Sequence, residues 1–428
     1  MDELYQCKCP SCQKIRNEDT ADYNLTEEEQ YAILRLIYDR ELDVSADIQR
    51  DLWQHTRKFL DDAVDRAFAL RIEENKDFIE ELKHNNAVFA AFKTHREQND
   101  LAAMLVDENG KPRSFNDFRK ATVPVLQEYN VNWLQTEYLT AIHSARTAEL
   151  FKRFERDRDL FPNVRWMPSR AVEPREAHRI FYYQVRSLDD PWWLTHYPGC
   201  LWRCQCDVEN TADPITHRGE HAVAPDSPDV EEEQTTTSPG LEQNPAFTGS
   251  LFSKSHPYIA NAYPGAKDAV ARFMAEEGKY MVVPTEQGLL RIHSGHGKGE
   301  REENIRIGSY LANKYGYEID LLDNPDGVKS ADSYNHTLRV EQEYKQAGTP
   351  TKNAIDRLIR DAAKQADDIV LWIETDMDWE DIGAALRSRV RRSESIRSVT
   401  LIREGKDIRL SRADIRQEGF KIRPADLT

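Results

Sequence analysis

The sequence lacks any long apolar run. No segment approaches the roughly 20 consecutive apolar residues that a helix needs to cross a bilayer. The first residues, Met1 to Leu4, also lack the basic and then apolar layout of a secretory signal. We therefore expect no membrane segment, and a protein that is made in the cytoplasm and stays there unless another component carries it out.

Basic residues are also fewer than acidic residues. The chain has 58 Lys and Arg against 75 Asp and Glu, a net charge of −17 at pH 7. Its surface as a whole is therefore unsuited to nucleic acid, because phosphate contacts need Lys and Arg. The last third is nearly balanced and contains a basic cluster: Arg387, Arg389, Arg391, Arg392 and Arg397. The cluster is either a local nucleic-acid-binding face, with Arg387 and Arg391 as candidates, or a solvated helix face.

Cysteine is sparse and clustered. Its six residues form two groups, Cys7, Cys9 and Cys12 in CKCPSC, and Cys200, Cys204 and Cys206 in CLWRCQC. Clustering in a reducing cytoplasm favours free thiols or a metal over disulfides. A C-x-C-x-x-C spacing suits tetrahedral zinc, and the other group could complete the shell from across the fold. We therefore consider a structural zinc shared by both groups, with free thiols as the alternative.

The length indicates two or three domains, because a domain usually holds about 100–200 residues. A stretch rich in Pro, Ser, Thr and Glu, APDSPDVEEEQTTTSPG, has almost no large apolar residues and predicts a flexible linker. The predicted divisions are a helical region at 1–99, a second region at 100–210, the linker at 211–244, a connecting subdomain at 245–290 and an α+β domain at 291–428.

Helical periodicity dominates the first 156 residues. Apolar residues recur at helical spacing from Leu25 to about Asn99, and Thr26 and Glu29 have the spacing of a capping box. The segment from Val123 to Arg156 predicts another long helix with one buried face. We therefore expect a mainly α-helical bundle at the N-terminal end.

A loop-rich segment follows the helices. Residues 163–167 predict a short strand, and the prolines and aromatic residues beyond it do not suit a helix. His178, His196 and the nearby cysteines have the chemistry of a zinc centre. No acidic residue stands at a recognisable spacing as its base, however, so we expect a structural role, with His196 and Trp202 used for packing.

Four motifs in this segment, together with the long helix before them, form an ordered set: NVRWMPSR, REAHR, DDPWWLTHYPG and WRCQC. The set resembles the Mu F-like minor head protein family over about residues 100–210. The chain departs from the family pattern at Gln205, where arginine is expected, and at Cys200. The resemblance implies a phage protein in or next to the portal, with portal and capsid proteins as partners and a role in head morphogenesis.

The last region has a mixed α/β pattern. Its predicted elements, in order, are a helix at 305–314, a strand at 317–322, a hairpin at 333–344, a helix at 352–366, a strand at 369–373, a helix at 379–392, and strands near 399–402 and 407–410. The pattern indicates a domain with its own core.

Two stretches in this region place cations or histidine beside a helix start. His296 and Lys298 belong to a glycine-rich loop just before the first helix, and Lys352 and Asn353 open a later one. Helix N-termini attract phosphate, and an imidazole near neutral pKa can transfer protons. The loop is either part of a nucleic-acid site or a solvated turn.

A strand in the hairpin carries an unusual pattern of charge. Alternation places Glu341, Glu343 and Lys345 on one face, and Asp332 precedes them in the hairpin. Such a face is costly in a core unless it lines a site.

Three stretches of this region, DNPDGVKSADSYNHT, VEQEYK and TPTKNAIDRLIRDAAKQADDIVLWI, resemble the C-terminal transfer-RNA nuclease domains of contact-dependent inhibition toxins. The resemblance covers about residues 290–405. Related toxin domains are grouped with the barnase, EndoU, colicin and RelE fold, which cuts RNA without metal. It therefore implies a transfer-RNA or other RNA substrate, an immunity protein as partner, and attack by the ribose 2′-OH with no cofactor.

That reaction needs a base, an acid and cations for the developing charge. We assign the acid and base roles to His296 and Glu343, and charge stabilisation to Lys345 and Lys352. A competing interpretation takes Asp332 with Glu343-x-Lys345 as the D…E-x-K signature of restriction-type nucleases, in which carboxylates hold Mg²⁺ and lysine helps activate water. This alternative predicts a restriction-endonuclease-like fold and cleavage of DNA.

For the whole chain we expect a virion-associated effector. The head module would place the toxin in or on the capsid, so that it enters the next cell with the phage DNA and cuts RNA there. The main alternative is a structural head protein whose C-terminal domain is inactive.

Overall fold

The computed structural model describes residues 5, 22–171, 176–219, 237–297, 299–323 and 330–428. It divides into two compact units, Met1–Met274 and Ala275–Thr428. This boundary falls inside the connecting subdomain predicted at 245–290. The predicted multidomain organisation is present, with a helical first unit and a sheet-rich second unit. No helix among the described residues is long and apolar enough to span a membrane.

Long helices build the first unit. They are α1 (Glu27–Tyr38), α2 (Arg50–Phe68), α3 (Lys76–Ala103), α4 (Phe115–Gln127) and α5 (Leu134–Asp157). The predicted capping box opens α1: the Thr26 side chain accepts from the Glu29 amide, and the Glu29 carboxylate accepts from the Thr26 amide at 2.7 Å. A π-helical turn, Glu128–Trp133, joins α4 to α5, so the long helix predicted from Val123 is interrupted there.

A buried ion pair lies among these helices. Lys93 Nζ on α3 is 2.6 Å from Glu137 Oε2 on α5, and neither side chain is exposed. The other carboxylate oxygen, Oε1, accepts from the hydroxyls of Tyr5 at 2.9 Å and Tyr258 at 3.0 Å. Both oxygens of the carboxylate are therefore hydrogen-bonded, as burial of a charge requires.

A small sheet follows α5. Strands β1 (Asn163–Met167), β2 (Val185–Ser187) and β3 (Asp207–Thr211) pair antiparallel in the order β2-β1-β3. The connections are loops and 3₁₀ turns around three buried tryptophans, Trp166, Trp192 and Trp193. His196 stacks on Trp192 with ring centroids 4.7 Å apart. The predicted strand at 163–167 and the packing role of His196 are confirmed.

Short helices lead out of the first unit. They are α6 (Pro245–Thr248), α7 (Pro257–Ala260) and α8 (Ala266–Glu277). Leu241 and Asn244, in the stretch predicted as the end of the linker, are fully buried. The Asn244 side chain donates to the Trp193 carbonyl at 3.0 Å. Residues 220–236, the middle of the predicted linker, lie outside the described residues.

The described part of the second unit contains one mixed sheet. Its strands are β4 (Tyr280–Val283), β5 (Leu289–His293), β6 (Glu318–Leu321), β7 (Ser333–Asn335), β8 (Val340–Ala347), β9 (Asp368–Ile373), β10 (Ser398–Arg403) and β11 (Lys406–Ser411). They lie in sequence order across the sheet. Strands β6, β7 and β8 form an antiparallel meander, and β9 then runs parallel to β8.

Helices cover both faces of this sheet. They are α9 (Arg301–Tyr315), α10 (Lys352–Ala362), α11 (Trp379–Arg392) and the short α12 (Arg412–Arg416). On α9, Ile307 and Leu311 pack in one core cluster with Tyr344 and Val370 of the sheet. Apolar residues of α10 and α11 pack in another cluster with Leu371. Successive residues of β9 point to opposite faces, so Val370 and Leu371 join different clusters.

The order from α9 to β9 is helix, three strands, helix, strand. It follows the element order predicted from Asn304 onward, although α10 ends four residues earlier than predicted and β7 has only three residues. This element order is compatible with both nuclease interpretations. The sheet-rich character of the unit is confirmed, while its relation to either nuclease fold stays a prediction.

Candidate active site and metal centre

Strands β7 and β8 bring the D…E-x-K residues together. Ser333 pairs with Gln342 in the antiparallel register, so Asp332 lies opposite Glu343. The amide of Tyr344 donates to Asp332 Oδ2 at 2.9 Å. Since Lys345 follows Glu343 by two residues, both side chains project from the same face of β8.

Lys345 is the centre of this charge cluster. Its Nζ lies 2.7 Å from Glu343 Oε1 and 4.0 Å from both Asp332 Oδ2 and Glu300 Oε2. Gln365, beyond the end of α10, donates from Nε2 to Glu343 Oε1. Glu300, the residue before α9, was not predicted as a site residue, because two further glutamates follow it and nothing in the sequence distinguishes the three.

The charged groups of this cluster are buried, so the two neighbouring carboxylates repel each other strongly. Glu343 is fully buried, Asp332 is 2% exposed, and the Lys345 side chain is 16% exposed. Glu343 Oε2 has no hydrogen-bond partner among the described residues. Burial and the charge of Asp332 raise the pKa of Glu343 to about 8, although Lys345 opposes the shift. Burial lowers the pKa of Lys345, but Glu343 outweighs it and raises that pKa overall.

The residues present fit a divalent cation. Magnesium prefers carboxylate oxygens, uses one or two carboxylates from the protein and keeps several waters. Asp332 and Glu343 supply two carboxylates, and the buried Oε2 of Glu343 has a lone pair without a partner. A cation would offset the repulsion between the two carboxylates that raises the pKa of Glu343.

His296 is not part of this cluster. It is 2% exposed, its Nδ1 lies 2.6 Å from the carbonyl oxygen of Leu322, and its Nε2 lies 3.0 Å from the side-chain amide of Asn304. Both ring nitrogens are therefore hydrogen-bonded inside the protein. This geometry leaves neither nitrogen to exchange a proton with a substrate, so we assign His296 a structural role that ties its loop to α9.

The other predicted nucleic-acid residues lie on helices. Lys352 and Asn353 are exposed at the start of α10, Arg391 is exposed on the last turn of α11, and Arg387 is half-buried one turn earlier. Lys298 lies outside the described residues. Part of the basic cluster has a structural role, because two of its arginines pair with Asp356 of α10: Arg389 and Arg392.

A second cluster lies in the loop-rich part of the first unit. His178 Nδ1 is 3.4 Å from Cys204 Sγ and 3.5 Å from Cys206 Sγ, while His178 Nε2 is 3.6 Å from Cys200 Sγ. All four residues are buried, and none of the three cysteines is in a disulfide bond. The remaining predicted metal ligands, Cys7, Cys9 and Cys12, lie outside the described residues.

The structure places His178 beside the cysteines. Among the described residues, His178, Cys204 and Cys206 form the one group of three or more histidine, cysteine or acidic residues whose ligand atoms all lie within 4.8 Å of one another. The sequence offered His178 only together with His196 in an alternative zinc centre, because 26 residues separate His178 from Cys204 and no spacing rule connects them.

Comparison with known proteins gives one short similarity. The chain is 32% identical over 76 residues to the Mu-like prophage FluMu F protein of Haemophilus influenzae. The match covers 18% of this chain and 17% of that protein, so the chain spans about a sixth of the length of the relative it matches. No family model and no solved structure matches the chain. The similarity supports the Mu F-like part of the sequence analysis and does not extend to a toxin.

Proposed function

We propose that the second unit is a nuclease that hydrolyses RNA with a divalent cation, and that the first unit is a phage head component that carries it. The observation that supports the nuclease best is the convergence of Asp332, Glu343 and Lys345 on adjacent strands, with one glutamate oxygen buried and unpartnered. The cation requirement replaces the cofactor-free reaction implied by the toxin resemblance, because His296 is hydrogen-bonded on both nitrogens.

Each side chain has its own role in phosphodiester hydrolysis. Lys345 Nζ, partly exposed beside two carboxylates, orients the attacking water and stabilises charge on the phosphate. Asp332 and Glu343 would hold Mg²⁺. When bound, that cation supplies Lewis-acid stabilisation of the phosphate and lowers the pKa of water. The water oxygen forms the new bond to phosphorus, a P–O ester bond breaks, and the leaving oxygen takes a proton.

The choice of RNA rests on the resemblance of residues 290–405 to transfer-RNA nuclease domains. The exposed Lys352 and Asn353 at the start of α10 and Arg391 of α11 offer groups for a phosphate backbone. An RNA nuclease made in its own host also requires an inhibitor, so we expect an immunity protein.

Cleavage by the purified full chain tests the nuclease. We expect total transfer RNA to be cut with Mg²⁺ and to stay intact in EDTA. The RNA ends should carry no 2′,3′-cyclic phosphate, which attack by the ribose 2′-OH would leave. Glu343→Gln should slow cleavage by about 100-fold or more, whereas Glu341→Gln, an exposed change on the same strand, should not.

Three other outcomes of the cleavage assay would each contradict a different part of this proposal. Cleavage in EDTA with cyclic phosphate ends restores the metal-independent mechanism. Cleavage of DNA but not RNA changes the substrate class. Intact RNA and DNA under all conditions leave a head protein with an inactive C-terminal unit.

The head role is tested on particles. We expect the full chain in purified, DNA-filled phage heads, and we expect it to remain there when Glu343→Gln inactivates the nuclease. Heads that assemble and fill normally without the chain, and that never contain it, would contradict the role.

A further inference from the structure

We propose that the first unit binds one zinc ion through His178 Nδ1, Cys204 Sγ and Cys206 Sγ, with Cys200 as the residue that orients His178. The site is structural and is independent of the nuclease.

The distances around His178 match zinc geometry. With Zn–S of about 2.3 Å, Zn–N of about 2.1 Å and a tetrahedral angle, a sulfur and a nitrogen ligand lie about 3.6 Å apart. The Sγ atoms of Cys204 and Cys206 lie 3.4 and 3.5 Å from the same nitrogen, Nδ1. A single N–H cannot donate well to two sulfurs, whereas one metal ion satisfies all three atoms.

The opposite ring nitrogen has a different partner. Cys200 Sγ lies 3.6 Å from His178 Nε2, on the side of the ring that faces away from Nδ1. Histidine ligands usually donate their second N–H to an acceptor that fixes the ring and its tautomer. Cys200 is therefore placed to accept from Nε2–H, and its thiol is not required in the metal shell.

The shell has three protein ligands among the described residues. Of the residues that the structure describes, only His178, Cys204 and Cys206 bring three ligand atoms within 4.8 Å of one another. A tetrahedral zinc ion held by these three residues takes its fourth ligand from outside this group.

The position of the ligands indicates what the ion does. His178 is in a 3₁₀ turn, and Cys206 directly precedes β3. This part of the unit has three short strands and few helices, so regular backbone hydrogen bonding contributes little to its stability. Zinc would fasten these loops to one another, and its binding free energy would add to folding.

Metal analysis of the full chain with inactivating Glu343→Gln tests the site. We expect about one zinc per chain after purification in metal-free buffer. Cobalt substitution should give a tetrahedral d–d spectrum and a thiolate-to-cobalt charge-transfer band, which thiols that only hydrogen-bond to imidazole do not produce. Cys204→Ser with Cys206→Ser should lose the metal.

Two controls make the result decisive. Cys200→Ser should retain zinc, because a hydroxyl also accepts from Nε2–H. The triple change Cys7→Ser, Cys9→Ser and Cys12→Ser should retain it too. Loss of zinc in the triple variant overturns a site built on His178, Cys204 and Cys206 alone, and wild-type protein without bound zinc overturns the site. If the double variant does not fold, chelation of folded wild-type protein by EDTA should still lower its melting temperature.

Discussion

Each unit contains a buried lysine–glutamate pair, and the two pairs differ in one respect. In the first unit, Lys93 and Glu137 are fully buried and both carboxylate oxygens have partners. In the second unit, Lys345 is partly exposed, and Glu343 keeps a buried oxygen without a partner among the described residues. Both oxygens of Glu137 therefore have partners within the protein, whereas one oxygen of Glu343 does not.

This difference separates a charge pair that completes a core from one that leaves a bonding position open. A satisfied buried pair contributes to a unique packing. A pair with an unsatisfied oxygen and a second carboxylate nearby is unfavourable in the absence of a ligand, which is consistent with the proposed cation site. The comparison predicts that changes to the two pairs have opposite consequences for stability and activity.

The largest effect is expected when the structural pair is broken. Lys93→Met leaves the buried Glu137 carboxyl group without its ion-pair partner, and we expect the free energy of unfolding of the first unit to fall by about 3–5 kcal/mol. Urea denaturation followed by circular dichroism measures it. The double change Lys93→Met and Glu137→Gln should recover most of the loss, because it removes both charges. If the free energy of unfolding of the single variant falls by less than about 1 kcal/mol, the proposed difference between the two pairs is contradicted.

The matched change in the second unit should reduce activity instead of stability. We expect Lys345→Met to slow RNA cleavage by about 100-fold or more, because the attacking water and the phosphate lose the ammonium group of Lys345. The free energy of unfolding should change by less than about 1 kcal/mol, since Glu343 can take up a proton. Cleavage rates and urea denaturation of the same protein give both values. A variant that cuts RNA normally, or that unfolds as Lys93→Met does, contradicts the proposed roles.

A smaller effect concerns pH. Glu343 has a pKa of about 8 in the folded protein, against an ordinary value of 4.5. The folded state therefore holds this proton more tightly, which stabilises the second unit fully below pH 4.5, and the stabilisation is lost as pH rises through about 8. In EDTA, melting temperatures should fall more steeply with pH for wild type than for Glu343→Gln, and Mg²⁺ should reduce that difference. Parallel pH profiles would show that Glu343 does not titrate in this range.

The smallest effect is expected at Thr26, which belongs to neither pair. Thr26→Ala removes the capping box of α1, and we expect it to destabilise the first unit by about 1 kcal/mol. Cleavage should be unchanged because the residue belongs to the other unit. Urea denaturation checks the first value and the cleavage assay the second, and a change in cleavage rate would show that activity depends on the stability of the first unit.

Local patterns predicted much of the fold. The strand at 163–167 and the helix at 379–392 have the predicted bounds, because hydrophobic period and capping residues act over a few neighbours. The close approach of Asp332, Glu343 and Lys345 could be predicted for a similar reason, since alternation along β8 places the last two on one face; their role in a site stays a prediction.

Contacts between distant segments were not predictable in this way. Lys93 and Glu137 have the appearance of solvated helix charges in the sequence, and only the packing of α3 against α5 buries them together. His296 has the sequence context of a mobile catalytic loop, but Asn304 and Leu322 hold it inside. His178 meets Cys204 through loops whose course no periodicity describes. The toxin identity and its RNA substrate stay predictions.

Binding of Mn²⁺, a paramagnetic substitute for Mg²⁺, tests the central claim most directly. Electron paramagnetic resonance counts the free ion in the presence of the zinc-loaded full chain. The account predicts one Mn²⁺ site that strengthens as pH rises through about 8 and that Glu343→Gln weakens by about 10-fold or more, whereas Glu341→Gln leaves it intact. Equal Mn²⁺ binding by wild type and Glu343→Gln, or no binding by either, would contradict it.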